Sequence, residues 1–273
     1  MLSTIILTKD ESKNIKSCID SLNWCDDIHV LDSGSSDNTV EICKSKGAKV
    51  YYNAFESFGK QRNFALNNIE TKYEWILFLD ADERSTAEFK DSIFDAINNS
   101  TDKIAGYFCC WKMILDDVWL KRCDNFPKWQ FRLMHKNRAF FTDYGHGQKE
   151  ADVKGEILYI KVPYIHYGFS KGWFNWIERH NNYSTLEAIE RIHNVPTFSN
   201  IFSKHGSIRN PALKAWLIKL PGWPLLRFIH TYFINLGILE GKPGFIYCVN
   251  MAYYEFLIQI KIRENKFQQI KQF

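Results

Sequence analysis

Three short polar runs carry the residue types that handle charged ligands. The first is Asp80-Ala-Asp82-Glu83, directly behind the apolar run Trp75–Leu79. Two carboxylates one residue apart at the end of a buried strand point into one crevice. Hard oxygen donors of this kind suit Mg2+ or Mn2+, usually together with substrate phosphates. A solvated acidic turn capping the next helix has the same composition, but the position behind a buried strand favours a ligand. The second run, Asp32-Ser-Gly-Ser-Ser-Asp37-Asn-Thr, leads from an apolar segment into a helix start. Ser36, Asp37 or Asn38 suits the N-cap. Asp32 precedes the cap, and its carboxylate at that rim can accept hydrogen bonds from a nucleobase N–H or a ribose hydroxyl; a plain strand–turn–helix connector would read the same. The third run, Gly59-Lys60-Gln-Arg62-Asn63, opens a helix and offers Lys60 and Arg62 to a diphosphate, Arg as a fork and Lys as a point charge. It lacks the glycine spacing of a Walker loop, and a solvated helix start would read the same.

The elements that must position these residues are legible in the hydrophobic periodicity. Ser3–Thr8, Ile28–Leu31, Ala48–Tyr52 and Trp75–Leu79 read as short buried strands. Lys13–Leu22, Asn38–Lys46, Gly59–Ile69 and Thr86–Asn98 read as the helices between and after them, with Gly47 in a C′ position. Strands alternating with helices imply a parallel sheet with right-handed crossovers, hence an α/β fold. Thr8–Glu11, Asp32–Asp37 and Asp80–Glu83 all follow strands, so the fold brings them to one rim, at the carboxyl ends where ligands of such sheets bind.

From about residue 104 the pattern changes. Gly106–Leu115, Trp129–His135, Ala139–Thr142 and Glu156–Tyr167 read as strands without intervening helices, a mixed or antiparallel extension of the sheet. Lys171–Ile192 reads as a long helix, 194–211 as a connector, and 212–273 as two or three amphipathic helices. Two domains are expected, 1–200 and 201–273.

The chain has 273 residues and a net charge of +4, but the charge is uneven. Residues 1–203 hold 25 basic and 28 acidic groups; residues 204–273 hold 10 basic and 3 acidic ones. A basic, aromatic-rich tail fits an anionic membrane surface, a nucleic acid or a packing layer; no recognition motif supports nucleic acid. Lys219, Arg227, His230 and two prolines interrupt the apolar stretch 215–239, which argues against a transmembrane span. Seven cysteines, an odd number with no zinc-like spacing, do not read as a disulfide scaffold. The amino terminus turns polar after seven residues, too soon for a signal peptide, and a reducing cytosolic location is expected.

In order, Thr8-Lys-Asp-Glu11 with Asn14, Val30-Leu-Asp32-Ser-Gly-Ser-Ser-Asp37-Asn-Thr, Gly59…Arg62-Asn63 and Leu79-Asp80-Ala-Asp82-Glu83 resemble the family-2 inverting glycosyltransferases. Trp129-Gln-Phe-Arg132-Leu, Pro163-Tyr-Ile-His166-Tyr and Gly237-Ile-Leu-Glu-Gly241-Lys-Pro-Gly244-Phe extend the resemblance to the lipopolysaccharide-core β-1,4-glucosyltransferase-like proteins. The resemblance implies a GT-A fold with a helical carboxyl-terminal extension, acting as a hexosyltransferase of cell-envelope polysaccharide or lipooligosaccharide assembly. It implies a nucleotide-diphosphate sugar donor (a UDP-sugar first), a glycan or lipid-linked acceptor and a divalent cation, Mn2+ or Mg2+. The basic, aromatic-rich helices of 212–273 read either as peripheral contact with the cytoplasmic face of an anionic inner membrane or as a layer packed on the catalytic domain; no nucleic acid is expected. By motif position Asp32 would hold the base with Thr8 and Glu11 nearby. Lys60 and Arg62 would approach the diphosphate, Asp80 the ribose or metal, and Asp82 the metal, with His166 as a further metal or diphosphate contact.

Inversion needs a base for the acceptor hydroxyl. Relatives carry a His-Glu pair; here the run is Asp143-Tyr-Gly-His146-Gly-Gln-Lys149-Glu150-Ala-Asp152. Glu150 aligns best with the family carboxylate, with Asp152 and Asp143 as the other choices. Lys149 would replace the His and lower the Glu150 pKa. Gln130, Arg132 and His146 are candidate acceptor or phosphate contacts. A catalytically inactive sugar-binding scaffold and a metal-dependent nucleotidyltransferase are the competing classes.

Overall fold

A computed structural model describes residues 1–145, 147–193, 197–220 and 222–270. Contacts divide the chain into one unit of Met1–Lys121 with Asn125–Lys171, and a second of Arg122–Asp124 with Gly172–Phe273.

The first unit alternates β1 (Ser3–Thr8), α1 (Ile15–Asp20), β2 (Ile28–Asp32), α2 (Thr39–Ser45), β3 (Lys49–Tyr52), α3 (Phe58–Asn68) and β4 (Trp75–Asp80). There follow β5 (Glu83–Arg84), α4 (Ala87–Asn98), β6 (Ile104–Leu115), β7 (Val118–Trp119), β8 (Trp129–His135), β9 (Phe140–Tyr144), β10 (Gly147–Ala151) and β11 (Glu156–His166). All six residues of β1 are buried, as expected for a parallel strand covered on both faces. Ile6, Val30, Leu77 and Leu79 point into one core with α1 and α4, and Ile5, Leu31, Ile76 and Phe78 into the other with α3. Period-two alternation sends successive residues to opposite layers. Ser57 caps α3 by accepting the Lys60 N–H at 3.2 Å, and Thr86 caps α4 by accepting that of Phe89 at 3.1 Å.

The main sheet runs β3-β2-β1-β4-β8-β6-β11-β5, with β7 beside β6. The first four strands are parallel. β8 is antiparallel to β4 and β6, β11 is parallel to β6, and β5 is antiparallel to β11. This is the mixed extension expected. Thr8 lies opposite Asp32, Leu7 opposite Asp80, and His166 opposite Glu83. β10 was not expected as a strand; it forms a separate antiparallel ribbon with β9, Glu150 opposite Phe141.

The second unit holds α5 (Trp173–His193), a short 3-10 turn Phe198–Phe202, α6 (Gly206–Leu217), α7 (Trp223–Ile229), a π segment His230–Ile234, a 3-10 turn Gly237–Glu240 and α8 (Gly241–Ile270). The division between the two units falls at Lys171/Gly172, with α5 packed along α8 through Ala188, Tyr254 and Ile258. One expectation changes. In the expected connector, α6 starts at Gly206 and continues through Pro211. α8 starts at Gly241 with Pro243 in its first turn, where the missing N–H has no intrahelical partner to lose. Gly244 sits where a Cβ would lie 2.4 Å from the Gly237 carbonyl oxygen. The buried Glu240 carboxylate accepts the backbone N–H groups of Arg122 and Cys123, and Tyr247 bonds Asp124 at 2.5 Å. These contacts explain why Arg122–Asp124 belongs to this unit. No helix among the described residues is long and apolar enough to cross a membrane.

Candidate active site

The loops after β1 and β2 are clasped to each other. Asp10 Oδ1 accepts the Ser36 N–H at 2.7 Å, Ser35 Oγ accepts the Asp10 N–H at 2.8 Å, and Asp37 Oδ2 accepts the Ser12 N–H at 3.1 Å. Asp10 adopts φ 52°, a left-handed conformation that Asp tolerates better than most residues. The reciprocal bonds fix the rim before any ligand arrives.

Within that rim Asp32 is buried and closes its own turn. Its Oδ2 accepts the N–H groups of Gly34 and Ser35 at 2.8 and 2.9 Å, and its Oδ1 the Ser35 hydroxyl at 2.5 Å. Thr8 Oγ1 is buried without a protein hydrogen-bond partner. Glu11 accepts from Asn14 Nδ2 at 2.7 Å and pairs with Lys171 at 2.5 Å. Burial, with the Asp82 charge, raises its carboxyl pKa against the pull of Asn14 and Lys171. Lys60 is exposed and paired with Glu56 one helical turn away at 2.5 Å.

Behind the rim lies a buried charge network that the sequence did not anticipate. Arg62 and Arg132 are each 1% exposed. Arg62 Nη2 donates to Asp80 Oδ1 at 3.1 Å; Arg132 Nη2 donates to Asp80 Oδ2 at 2.6 Å and to Glu83 Oε1 at 2.5 Å. Arg62 is flanked by the rings of Phe58, Phe78 and Phe141. Arg132 occupies a bulge where the β6–β8 register slips, which aims its side chain under Asp80. Burial works to raise the Asp80 carboxyl, but Arg132 and Arg62 outweigh it and hold Asp80 well below the usual range. Glu83 moves the other way: burial, against Arg132 and helped by the Asp80 charge, pushes it up to about 7. Burial lowers Arg62 to about 10, while the two carboxylates keep Arg132 well above its ordinary value.

Arg62, expected at a diphosphate, is thus buried against Asp80 among three aromatic rings, and Arg132, expected at an acceptor or phosphate, is buried between Asp80 and Glu83. Gln130, two residues earlier on β8, is only half-buried.

Asp82 and His166 meet at the rim, with Asp82 Oδ2 3.4 Å from His166 Nε2. The Tyr167 N–H donates to the Asp82 carbonyl at 2.9 Å, so the end of β11 is fixed against the acidic turn. Burial alone would lower the His166 imidazole; Asp82, then Glu83 and Asp80, raise it to about 9. Asp80, the other expected metal ligand, has one oxygen paired with Arg62 and the other with Arg132, and its side chain stays 32% exposed. Among the described residues no group of three or more His, Cys, Asp or Glu side chains could hold a metal ion unaided. Asp82 with His166 is therefore the donor pair that fits a cation completed by substrate oxygens.

The three candidate bases separate clearly. Asp143 Oδ1 accepts the Gly59 N–H at 3.0 Å, so its carboxylate caps α3. A Cβ at position 59 would stand 2.7 Å from that oxygen. Asp152 sits exposed at φ 49° in the turn after β10. Glu150 shares a ribbon face with Phe141 and Asp143, and Asn63 clamps Phe141 through both backbone groups at 2.8 and 2.9 Å. Lys149 lies on the opposite face, its Nζ 3.1 Å from the centre of the Tyr144 ring. It therefore does not stand beside Glu150, contrary to expectation, because neighbours on a strand point to opposite faces. His146 lies outside the described residues.

A parallel sheet with strand order 3-2-1-4, a mixed extension and acidic residues gathered at the carboxyl ends defines a GT-A fold. A mannosyltransferase from Pyrobaculum calidifontis, solved in complex with GDP-Man and Mn2+, superposes with a TM-score of 0.55 at 15% identity, covering 97% of this chain and 87% of that one. The glycosyl transferase family 2 model matches residues 3–146, just over half of the chain, and the protein belongs to that family. An uncharacterised glycosyltransferase of Rickettsia typhi is 26% identical over 96% of this chain and 87% of its own length. The lipopolysaccharide core biosynthesis glycosyltransferase LpsC of Rhizobium meliloti is 24% identical over 97% of this chain and 92% of its own.

Proposed function

We propose that the protein is an inverting hexosyltransferase. It moves a sugar from a nucleotide-diphosphate donor, a UDP-sugar first, to a glycan or lipid-linked acceptor in cell-envelope polysaccharide or lipooligosaccharide assembly. The observation that carries this reading is the convergence of Thr8, Asp32, Asp80, Asp82 and His166 on one sheet rim. The kinship with LpsC supports the acceptor class.

In this reading Asp32 and Thr8 face the nucleobase, and Asp80, kept ionised by two arginines, accepts from the ribose hydroxyls. Asp82 and His166 hold a divalent cation, Mn2+ or Mg2+, which would offset charge developing on the leaving diphosphate. Binding of such an ion would displace the proton that Asp82 favours on His166, since metal ligands must be deprotonated. Glu150 takes the acceptor proton as the hydroxyl attacks. Arg62, Arg132 and Glu83 act on Asp80 and are positioning residues. The catalytic unit would extend over the sheet and the β9–β10 ribbon, with the helices from residue 172 as an appendage.

The test is a panel of nucleotide sugars incubated with the full chain and Mn2+, scored for hydrolysis and for the anomer transferred. Asp82→Ala should abolish the signal while the circular dichroism spectrum stays native. Undiminished turnover would remove Asp82 from the site, and a retained anomeric configuration would refute inversion.

A further inference from the structure

The second unit carries an apolar surface that no described residue covers. Leu225 is 64% exposed, Ile234 67% and Leu239 63%, and Leu226, Ile229 and Phe233 are also exposed around them. The surface spans α7, the π segment and the following 3-10 turn, and continues along α8 through Phe245 and Val249. It is rigid beneath. Phe228 stacks on Tyr232 at 5.2 Å, both rings pack on Phe245 within 6.0 Å, and Trp223 Nε1 donates to Glu255 at 3.0 Å. A contiguous apolar patch on a well-packed base marks an interaction site rather than scattered exposure.

The charges around it decide the occupant. Between residues 197 and 263 the sequence contains two acidic side chains, Glu240 and Glu255, against eight basic ones. Both acids are buried and consumed internally, Glu240 by the backbone N–H groups of Arg122 and Cys123, Glu255 by Arg191 and Trp223. Arg209, Lys219 and Lys242 are exposed, and Lys219 lies 3.7 Å above the Trp216 ring. Along residues 197–263 the exposed charges are thus all cationic, whereas the exposed Glu178 and the half-buried Glu190 of this unit lie on α5. A second copy would bring this surface against itself in a symmetric dimer, cation against cation. An anionic lipid surface supplies both missing partners: acyl chains for the aliphatic side chains and phosphates for the basic ones. The aromatic residues suit the headgroup level, and no helix among the described residues is long and apolar enough to cross the bilayer.

We infer that the α7–α8 surface, centred on Leu225, Ile234 and Leu239 and flanked in sequence by the exposed Lys219 and Lys242, docks on an anionic lipid bilayer. The inference rests on the second unit alone and stands whether or not the first transfers sugar.

The test uses the full chain with vesicles of phosphatidylcholine, or of phosphatidylcholine mixed with an equal part of phosphatidylglycerol, in a flotation assay. Binding should favour the anionic vesicles and weaken with salt. Lys219→Glu with Lys242→Glu should cost about fivefold or more per reversed side chain. Leu225→Ser, Ile234→Ser and Leu239→Ser together should weaken partition more than about tenfold. All five positions are exposed, and an unchanged circular dichroism spectrum and thermal midpoint would show that the variants fold. Failure of the native protein to bind anionic vesicles at low salt would overturn the inference. So would equal binding by the apolar variant. A dimer that the apolar variant dissociates, without vesicle binding, would assign the surface to a second copy instead. Donor hydrolysis measured on the same samples separates this outcome from the transferase reading.

Discussion

Replacing Arg132 by Met tests whether the buried charges are a single unit. Arg132 Nη2 lies 2.6 Å from Asp80 and 2.5 Å from Glu83. Its removal leaves Glu83 without a guanidinium and Asp80 with Arg62 alone at 3.1 Å. Breaking a buried pair by deleting one partner costs about 3–5 kcal/mol, because the surviving charge stays desolvated. Glu83→Gln leaves Arg132 paired with Asp80 and should cost about 1–3 kcal/mol. In the double variant the stranded carboxylate is gone, so the total should fall short of the sum by about 1–3 kcal/mol. Urea unfolding of the four proteins, with unchanged m-values, reads this coupling directly. The pH dependence has a definite sign. Glu83 is raised from an ordinary 4.5 to about 7. The folded state therefore takes up its proton first, and the associated stability is complete below about 4.5 and lost as pH rises through 7. Without Arg132 the Glu83 carboxyl rises further, so the Arg132→Met deficit should shrink at pH ~5 relative to pH ~8. Additivity within about 0.5 kcal/mol would refute the network.

Further predictions concern the rim, the base and the second unit. His166 is raised from 6.5 to about 9 by Asp82 against burial, so in chelator-treated protein this contribution to stability is complete below 6.5 and lost as pH rises through 9. Asp82→Asn should flatten that decline in thermal midpoint. Glu150→Gln should lower turnover by about 10²–10⁴ while leaving donor affinity unchanged. Asp143→Ala should instead destabilise by about 0.5–2 kcal/mol through loss of the α3 cap, measured by urea unfolding. Gly244→Ala forces a Cβ to within 2.4 Å of the Gly237 carbonyl oxygen and should cost about 1–3 kcal/mol of stability by the same measurement.

The parallel half of the fold was legible because its strands are continuous apolar runs and its helices carry a clear 3.6 period. β1 and α4 fall where periodicity puts them, and the rim follows from topology. Short-range pattern failed where partners are distant in sequence. Gln148 and Glu150 read as loop because β10 draws its stability from β9 and α3 rather than from an apolar stripe. Arg62 and Arg132 read as surface cations because their partners, the half-buried Asp80 and the buried Glu83, lie on other elements. The signal available was the surplus of acid in Asp80-Ala-Asp82-Glu83, which behind a buried strand demands compensating cations. Pro211 interrupts the helical signal of α6, and Lys149 and Glu150, adjacent in sequence, point to opposite faces of β10.

Calorimetric titration of nucleoside diphosphates into the full chain, with and without Mn2+, tests the central claim most directly. The rim geometry predicts binding that requires the cation, strengthens from pH 6 to 8 as the Asp82–His166 proton is displaced, and vanishes in Asp82→Asn. Mn2+-independent binding that survives Asp82→Asn, or no binding of any nucleoside diphosphate, would contradict it.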